Sequence, residues 1–398
     1  MSTAAPDWVD AGDSRDHRAD AQQAFTAAFD TEPEGIWSAP GRVNLIGEHL
    51  DYNGGPVLPL AIDHRTLVAA SPRSDGRIRM ASRQDAATWE GSLAELRPGR
   101  PTGWCGYAAG VLWAAREAGR PLSGLNLLVD GRVPVGGGLS SSAALTCAVA
   151  LAAAQLSGSG VSGDDARREL AAICVRAEND FAGAPTGGMD QAVVLRALAG
   201  HALLLDCTTF DAEQVPVPHV GELLVVDTRG HHELTDGQYG GRRAACERAA
   251  QELDVPRLAG LDVTQLPGLL PRLSDDELRG VVRHVVTEVQ RVGAVVSHLR
   301  EGRLLEAGPT LLESHASMRD DFVISTPELD LVVEAAVAAG APGARMTGGG
   351  FGGSAVVLCR PGDRPAVAAA ITGAFAAAGF ATPGMLPVQA SGAAARMA

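Results

Sequence analysis

One short stretch between Ala39 and Pro59 carries Arg42, Asn44, Glu48, His49, Asp51, Tyr52 and Asn53, with Gly41, Gly54 and Gly55 around them. A segment that only filled a core would not collect so many hydrogen-bonding side chains, because each buried polar group needs a partner. Alternating donors and acceptors on a glycine-bounded turn suit a polyhydroxylated ligand, and the planar guanidinium of Arg42 suits a phosphate. The plain alternative is a solvated loop with incidental charges. Two more glycine-rich segments speak against it. One runs through Gly136, Gly137, Gly138, Leu139, Ser140, Ser141 and Ser142; the other runs from Met346 through Gly348, Gly349 and Gly350 to Ser354. Consecutive glycines let amide N–H groups turn inward as a concave anion site, and a following helix adds its positive end. Ser140, Ser141 and Ser142 are placed to cap that helix and to donate hydroxyls.

These groups need a framework large enough to hold them. At 398 residues the chain is expected to form two domains, since single cores stop growing beyond ~250–300 residues. Hydrophobic residues make up 46% and charged residues 20%, which permits a folded core. A net charge of −14 argues against nucleic acid or an anionic membrane as partner. All 33 basic residues are Arg, with no Lys. A Walker-type phosphate loop, a protein-kinase fold and a Schiff-base enzyme each need a lysine, so all three are excluded. The six cysteines, Cys105, Cys147, Cys174, Cys207, Cys246 and Cys359, show no zinc spacing and read as buried thiols. No leader pattern opens the chain, and the longest apolar run, Ala143 to Ala154, is too short to span a bilayer. A soluble, cytoplasmic protein, monomeric or weakly homo-oligomeric, is expected.

Along the chain, residues 1–13 read as a mobile tail, 14–213 as an N-terminal domain and 214–398 as a C-terminal domain, the boundary lying in the aperiodic stretch from Thr208 to His219. Strands are expected at 57–62, 67–70, 77–82, 125–129, 202–205, 223–226 and 355–358. Helices are expected around Phe25, around Tyr107 and Val111, from Ser140 to Gly158, from Asp164 towards Phe181, and then at 232–253, 276–299, 304–318, 329–338 and 365–377. Mixed elements without regular βαβ alternation point to an α+β fold.

The three polar and glycine-rich segments, in this order, resemble the GHMP small-molecule kinases, and the first looks like the galactokinase signature within them. The resemblance extends to Met189-Asp190-Gln191, to the run from His232 through Tyr239 to Arg243, and to Glu313-Ser314-His315 leading into Asp321. It implies an N-terminal domain like ribosomal protein S5 domain 2 and a ferredoxin-like C-terminal domain, with the site between them. It also implies transfer of a phosphoryl group from MgATP to galactose, a related sugar such as N-acetylgalactosamine or arabinose being the alternative acceptor. A sensor that binds both ligands without turnover is the alternative from another class. By this resemblance Asp190 is the catalytic aspartate and Arg42 the arginine beside it. A positioned carboxylate can accept the proton of a sugar hydroxyl. A loose transition state needs little proton removal early, so Asp190 is expected to orient the hydroxyl and take the proton late, while Arg42 stabilises charge on the phosphoryl group.

Residues 136–142 are implied to bind ATP, with Ser82 and Trp104 at its adenine. The hydroxyl of Ser142 and the carboxylate of Glu178 are implied to reach Mg²⁺, which takes oxygen ligands. Glu48, His49, Asp51, Gly188 and Tyr239 line up with positions that hold the sugar. Two departures stand out. Leu50 occupies the sugar-turn position where the family has Thr, and Thr186-Gly187-Gly188 replaces a Cys-Gly-Ile form.

Overall fold

In the computed structural model, which describes residues 5–230 and 235–398, the strand Pro59–Arg73 is the spine of the N-terminal half. It is paired antiparallel along its length with Gly35–Asn44 on one side and with Gly124–Gly131 on the other. The two strands expected at 57–62 and 67–70 merge into one because the backbone stays extended through the register shift between Pro40 and Arg42. Arg77–Ser82, Trp89–Ser92 and the C-terminal pair Ala395–Arg396 complete a six-stranded sheet. Alternation sorts its side chains. Ile36, Leu67, Ala69 and Leu128 pack with Ala21 and Phe25 of the helix Ser14–Phe29. Trp37, Val68, Ala70 and Leu127 belong to the main core on the opposite face. There the helix Ser141–Leu156 lies across the first two strands. Every residue from Ala143 to Ala153 in it is buried, as befits a helix apolar on all sides.

A second, five-stranded sheet has the order Asp7–Trp8, Gly384–Val388, Glu222–Asp227, Ser354–Cys359, Gly343–Thr347. The helices Thr235–Leu253, Asp276–Arg300, Gly308–Asp320, Pro327–Ala338 and Arg364–Ala378 belong to this half. The helix expected from His232 is thus described from Thr235, and His232 itself lies outside the described residues.

Two expectations about chain organisation are corrected. Asp7–Trp8 is no mobile tail: it pairs in parallel with Gly384–Met385, because that edge offers free backbone groups. The expected boundary between 213 and 214 cuts through the strand Ala212–Pro216. This strand pairs with His201–Asp206, which in turn pairs with Pro56–Val57. The aperiodic stretch is therefore a turn plus an edge strand with too few apolar residues to show periodicity. Among the described residues no helix is long and apolar enough to cross a membrane.

Candidate active site

The strand Gly35–Asn44 shifts register between Pro40 and Arg42. Gly41 sits in this bulge, and a Cβ there would come 2.9 Å from the carbonyl oxygen of Leu139. The absent side chain lets the glycine loop come close, and the Arg42 N–H leaves the ladder to donate to that carbonyl at 3.1 Å. The Arg42 guanidinium donates to the carbonyl of Gly138 and, in a two-point pair, to Asp190 at 2.8 and 3.1 Å. Ser354 Oγ donates to the carbonyl of Gly137 at 2.6 Å. Three successive loop carbonyls are thus tied to protein donors. In trans peptides the N–H groups that follow them, of Gly138, Leu139 and Ser140, point the opposite way. Held from behind in this way, the loop has the make-up of an anion cradle.

The sugar turn lines a cavity that the glycine segment reaches at Ser142. This cavity of about 700 Å³ is lined by Arg42, Asn44, Glu48, His49, Asp51, Ser142, Glu178, Asp190, Tyr239 and the backbone from Gly348 to Phe351. His49 is buried against Tyr239 and Phe322 and adopts a left-handed backbone. Its Nε2 lies 3.2 Å from the carbonyl of Gly349, and a carbonyl can only accept, so Nε2 carries the proton. Nδ1 then accepts from the Tyr52 hydroxyl at 2.7 Å. Burial, aided by His284, pushes this imidazole down to about 3; it is neutral at working pH. Asp51 is the opposite case. Burial, reinforced by the charge of Asp190, pushes its carboxyl up to about 6. Asp51 also leans on Gly187, where a Cβ would collide with its carboxylate oxygen.

Glu178 sits in a widened helical turn, Ala177–Ala182, that follows the helix Asp164–Arg176. Its carboxylate is buried and accepts from Thr146 Oγ1 at 3.0 Å and Gln191 Nε2 at 2.8 Å. Burial raises its pKa, against the hydrogen bonds of Gln191, Ser142 and Thr146. Among the described residues no Arg or His pairs with it, and no three His, Cys, Asp or Glu side chains gather as a metal cage. A buried carboxylate hydrogen-bonded to the Ser142 hydroxyl, both lining the cavity, fits Mg²⁺, which takes one or two protein oxygens and fills the rest from phosphates and water.

Comparison with known proteins identifies the family of the chain. Residues 23–72 match the family model described as the galactokinase galactose-binding signature. Residues 106–197 match the GHMP kinases N terminal domain, and 295–377 match the GHMP kinases C terminal. A galactokinase of Streptomyces coelicolor is 50% identical over 91% of this chain and 94% of its own. The chain belongs to the galactokinase family. A human galactokinase is 40% identical, covering 87% of this chain and 89% of its own. The crystal structure of a Lactococcus lactis galactokinase complexed with galactose superposes with a TM-score of 0.90 at 30% identity, over 95% of this chain and 99% of that one. A Methanococcus jannaschii mevalonate kinase, at 15% identity and TM-score 0.60 over 89% and 98%, shares the fold. The α+β, two-domain GHMP kinase architecture implied by the sequence is the architecture of the chain, and the protein is an ATP-dependent sugar kinase.

Not every galactokinase-like position falls in the cavity. Leu50 is wholly buried and packs beneath the turn against the Gly55 backbone. It is a core residue there, and burying such a side chain contributes about 1.5–3 kcal/mol. Leu139 likewise buries its side chain and takes part only through its backbone. Ser140 precedes the helix in a left-handed conformation without capping it; its hydroxyl donates to Asp190 instead. Gly188 caps the helix Met189–Arg196 beside the Phe210 ring, and its neighbours Gly187 and Met189 line the cavity. Ser82 pairs with Val129 and shares hydrogen bonds with Gln84, while Trp104 starts a helix half-buried on the core. Neither is among the residues that line this cavity.

Several site residues escape sequence reasoning. Gln191 directly follows Asp190 and holds Glu178. Thr347 Oγ1 accepts from the Asn44 N–H and donates to the Asn44 carbonyl. Arg345 is fully buried behind Glu48. The only signal for each is its position inside or next to a motif.

Proposed function

We propose that this galactokinase-family protein transfers the γ-phosphoryl group of MgATP to the anomeric hydroxyl of D-galactose, giving galactose 1-phosphate and ADP. One observation supports the reading: the sugar turn, the Arg42–Asp190 pair, Glu178 and Ser142, the last residue of the glycine segment, line a single cavity. The loop N–H groups bind the phosphates. Asp190 orients the hydroxyl and takes its proton as the ester forms, and Arg42 offsets charge on the transferring group. Glu48 and Asp51 offer the sugar carboxylate acceptors, Tyr239 a hydroxyl and a flat ring, and His49, with both ring nitrogens engaged, a wall of the site. Ser142 and Glu178 would hold Mg²⁺, which when bound neutralises charge on the phosphates.

A coupled ADP-release assay over galactose, glucose, N-acetylgalactosamine and arabinose tests the reading. Galactose should lead in kcat/KM. A site that pairs buried polar groups with a hydroxyl can reject an analogue lacking it by roughly 10⁴-fold, and a misplaced hydroxyl in an epimer costs somewhat less. Glucose turned over as efficiently as galactose would overturn the assignment.

Two variants test individual roles. Glu178→Ala should raise the Mg²⁺ concentration for half-maximal rate by at least about tenfold and leave galactose binding unchanged. An unaltered Mg²⁺ titration in the folded variant removes Glu178 from the metal. The second concerns pH. With Asp51 pushed up to about 6, its carboxylate is ionised above that pH and loses an acceptor position below it. The kcat/KM for galactose, which reports the free enzyme, should therefore fall as pH drops through about 6. Asp51→Asn should abolish that acid limb, while His49, neutral throughout, contributes nothing to it. An acid limb that survives in Asp51→Asn assigns it to another group.

A further inference from the structure

The backbone of the sugar turn hangs from the C-terminal half of the chain by an unusual set of bonds. Arg345, on the strand Gly343–Thr347, has no exposed surface. Its Nη1 donates to the carbonyls of Asn44 at 3.2 Å and Leu45 at 3.1 Å. Its Nη2 pairs with Glu48 Oε2 and lies 3.6 Å from Glu288 Oε1. Glu288 in turn accepts from the Gly47 N–H at 3.1 Å and Ser314 Oγ at 2.7 Å, and pairs with Arg291 at 2.6 Å. The other Glu48 oxygen accepts from the Gly348 N–H at 3.0 Å, and His284 Nε2 lies 3.2 Å from the Glu48 carbonyl.

A buried cation and two buried carboxylates are thus gathered together, with the partly buried Arg291 beside them. Such a cluster is a poor way to gain stability, because apolar residues of the same volume commonly do as well or better. What apolar packing cannot do is aim a carboxylate. Glu48 lines the cavity, and both of its oxygens are oriented by groups from the third glycine segment and the strand before it. A guanidinium spans two carbonyls and a carboxylate at once, which an ammonium on a flexible stem does not.

We propose that Arg345 is a positioning residue for the sugar: acting through Glu48, it sets the part of the site that recognises galactose. This rests on the function proposed above. It makes sugar recognition depend on a residue of the C-terminal half that lines no part of the cavity.

The test compares Arg345→Lys, Arg345→Met, Glu48→Gln and the Arg345→Lys/Glu48→Gln double variant, with KM for galactose and for ATP, kcat and thermal melting measured for each. Arg345→Lys keeps the charge. It should raise the galactose KM by about tenfold or more and leave the ATP KM within about twofold. Arg345→Met should be worse in galactose KM. If it fails to fold, the Lys variant and the double variant still decide. Because Arg345 acts through Glu48, the double variant should bind galactose no more weakly than Glu48→Gln alone by more than about threefold. A purely structural role predicts lowered melting with wild-type galactose KM, or losses that add in the double variant. Either result overturns the proposal. A wild-type enzyme that does not phosphorylate galactose would sink the functional reading instead, so the two failures are distinguishable.

Discussion

Asp190→Asn is expected to lower kcat by about 10²–10⁴-fold while galactose binding, measured by calorimetry, changes little. The amide keeps the shape of the carboxylate but cannot take a proton. Its surroundings sharpen the expectation. Both Asp190 oxygens accept from Arg42, and Ser140 also donates to one of them. An amide must turn its own N–H group towards one of these donors, so the variant also loosens the guanidinium that faces the phosphoryl group. A correctly folded Asp190→Asn protein that binds galactose and turns over near the wild-type rate would end the proton-acceptor role. The phosphate-binding role of the glycine loop would survive that result.

Arg42→Ala should cost on the order of 10³-fold in kcat/KM, by analogy with arginines that stabilise phosphoryl-transfer transition states. Here the loss has a second component. Arg42 donates to the Gly138 carbonyl, so its removal frees the rear of the anion cradle and should raise the ATP KM as well. Arg42→Lys should recover only part of the activity, since a single ammonium cannot serve two carboxylate oxygens and a carbonyl together. The Arg42→Ala/Asp190→Asn pair should be strongly non-additive, close to the worse single variant, because both act on one transition state. Full additivity in kcat would show that the two residues act independently, despite their contact.

Much of this site is legible in the amino-acid sequence. The glycine loop that feeds a wholly apolar helix, the polar turn around residues 42–53, and the Met-Asp-Gln segment are local patterns. Local backbone chemistry sets their shapes, since glycine clusters make turns and apolar runs make buried helices. The α+β class and most helices follow from the same periodicities. Much of the inventory of chemistry is also there, down to an absence of Lys that leaves backbone amides and Arg as the chain's own donors for a phosphate.

The partners of those groups are decided elsewhere. Arg42 meets Asp190 across 148 positions, and Glu48 meets Gly348 across 300. No propensity or spacing specifies which distant segment arrives, or on which side. Only packing shows that Leu50 faces the core and that Ser140 serves Asp190 instead of capping its helix. The strand Asp7–Trp8 and the final strand Ala395–Arg396 are two residues each, too short to carry a period. They exist because sheet edges had backbone groups to satisfy. Arg345 lies one residue before Met346, where the third glycine segment begins, and nothing about it in the sequence departs from a surface arginine. Its burial between two glutamates is a property of the tertiary fold alone, because a charge can be buried only where other segments bring it counter-charges and acceptors.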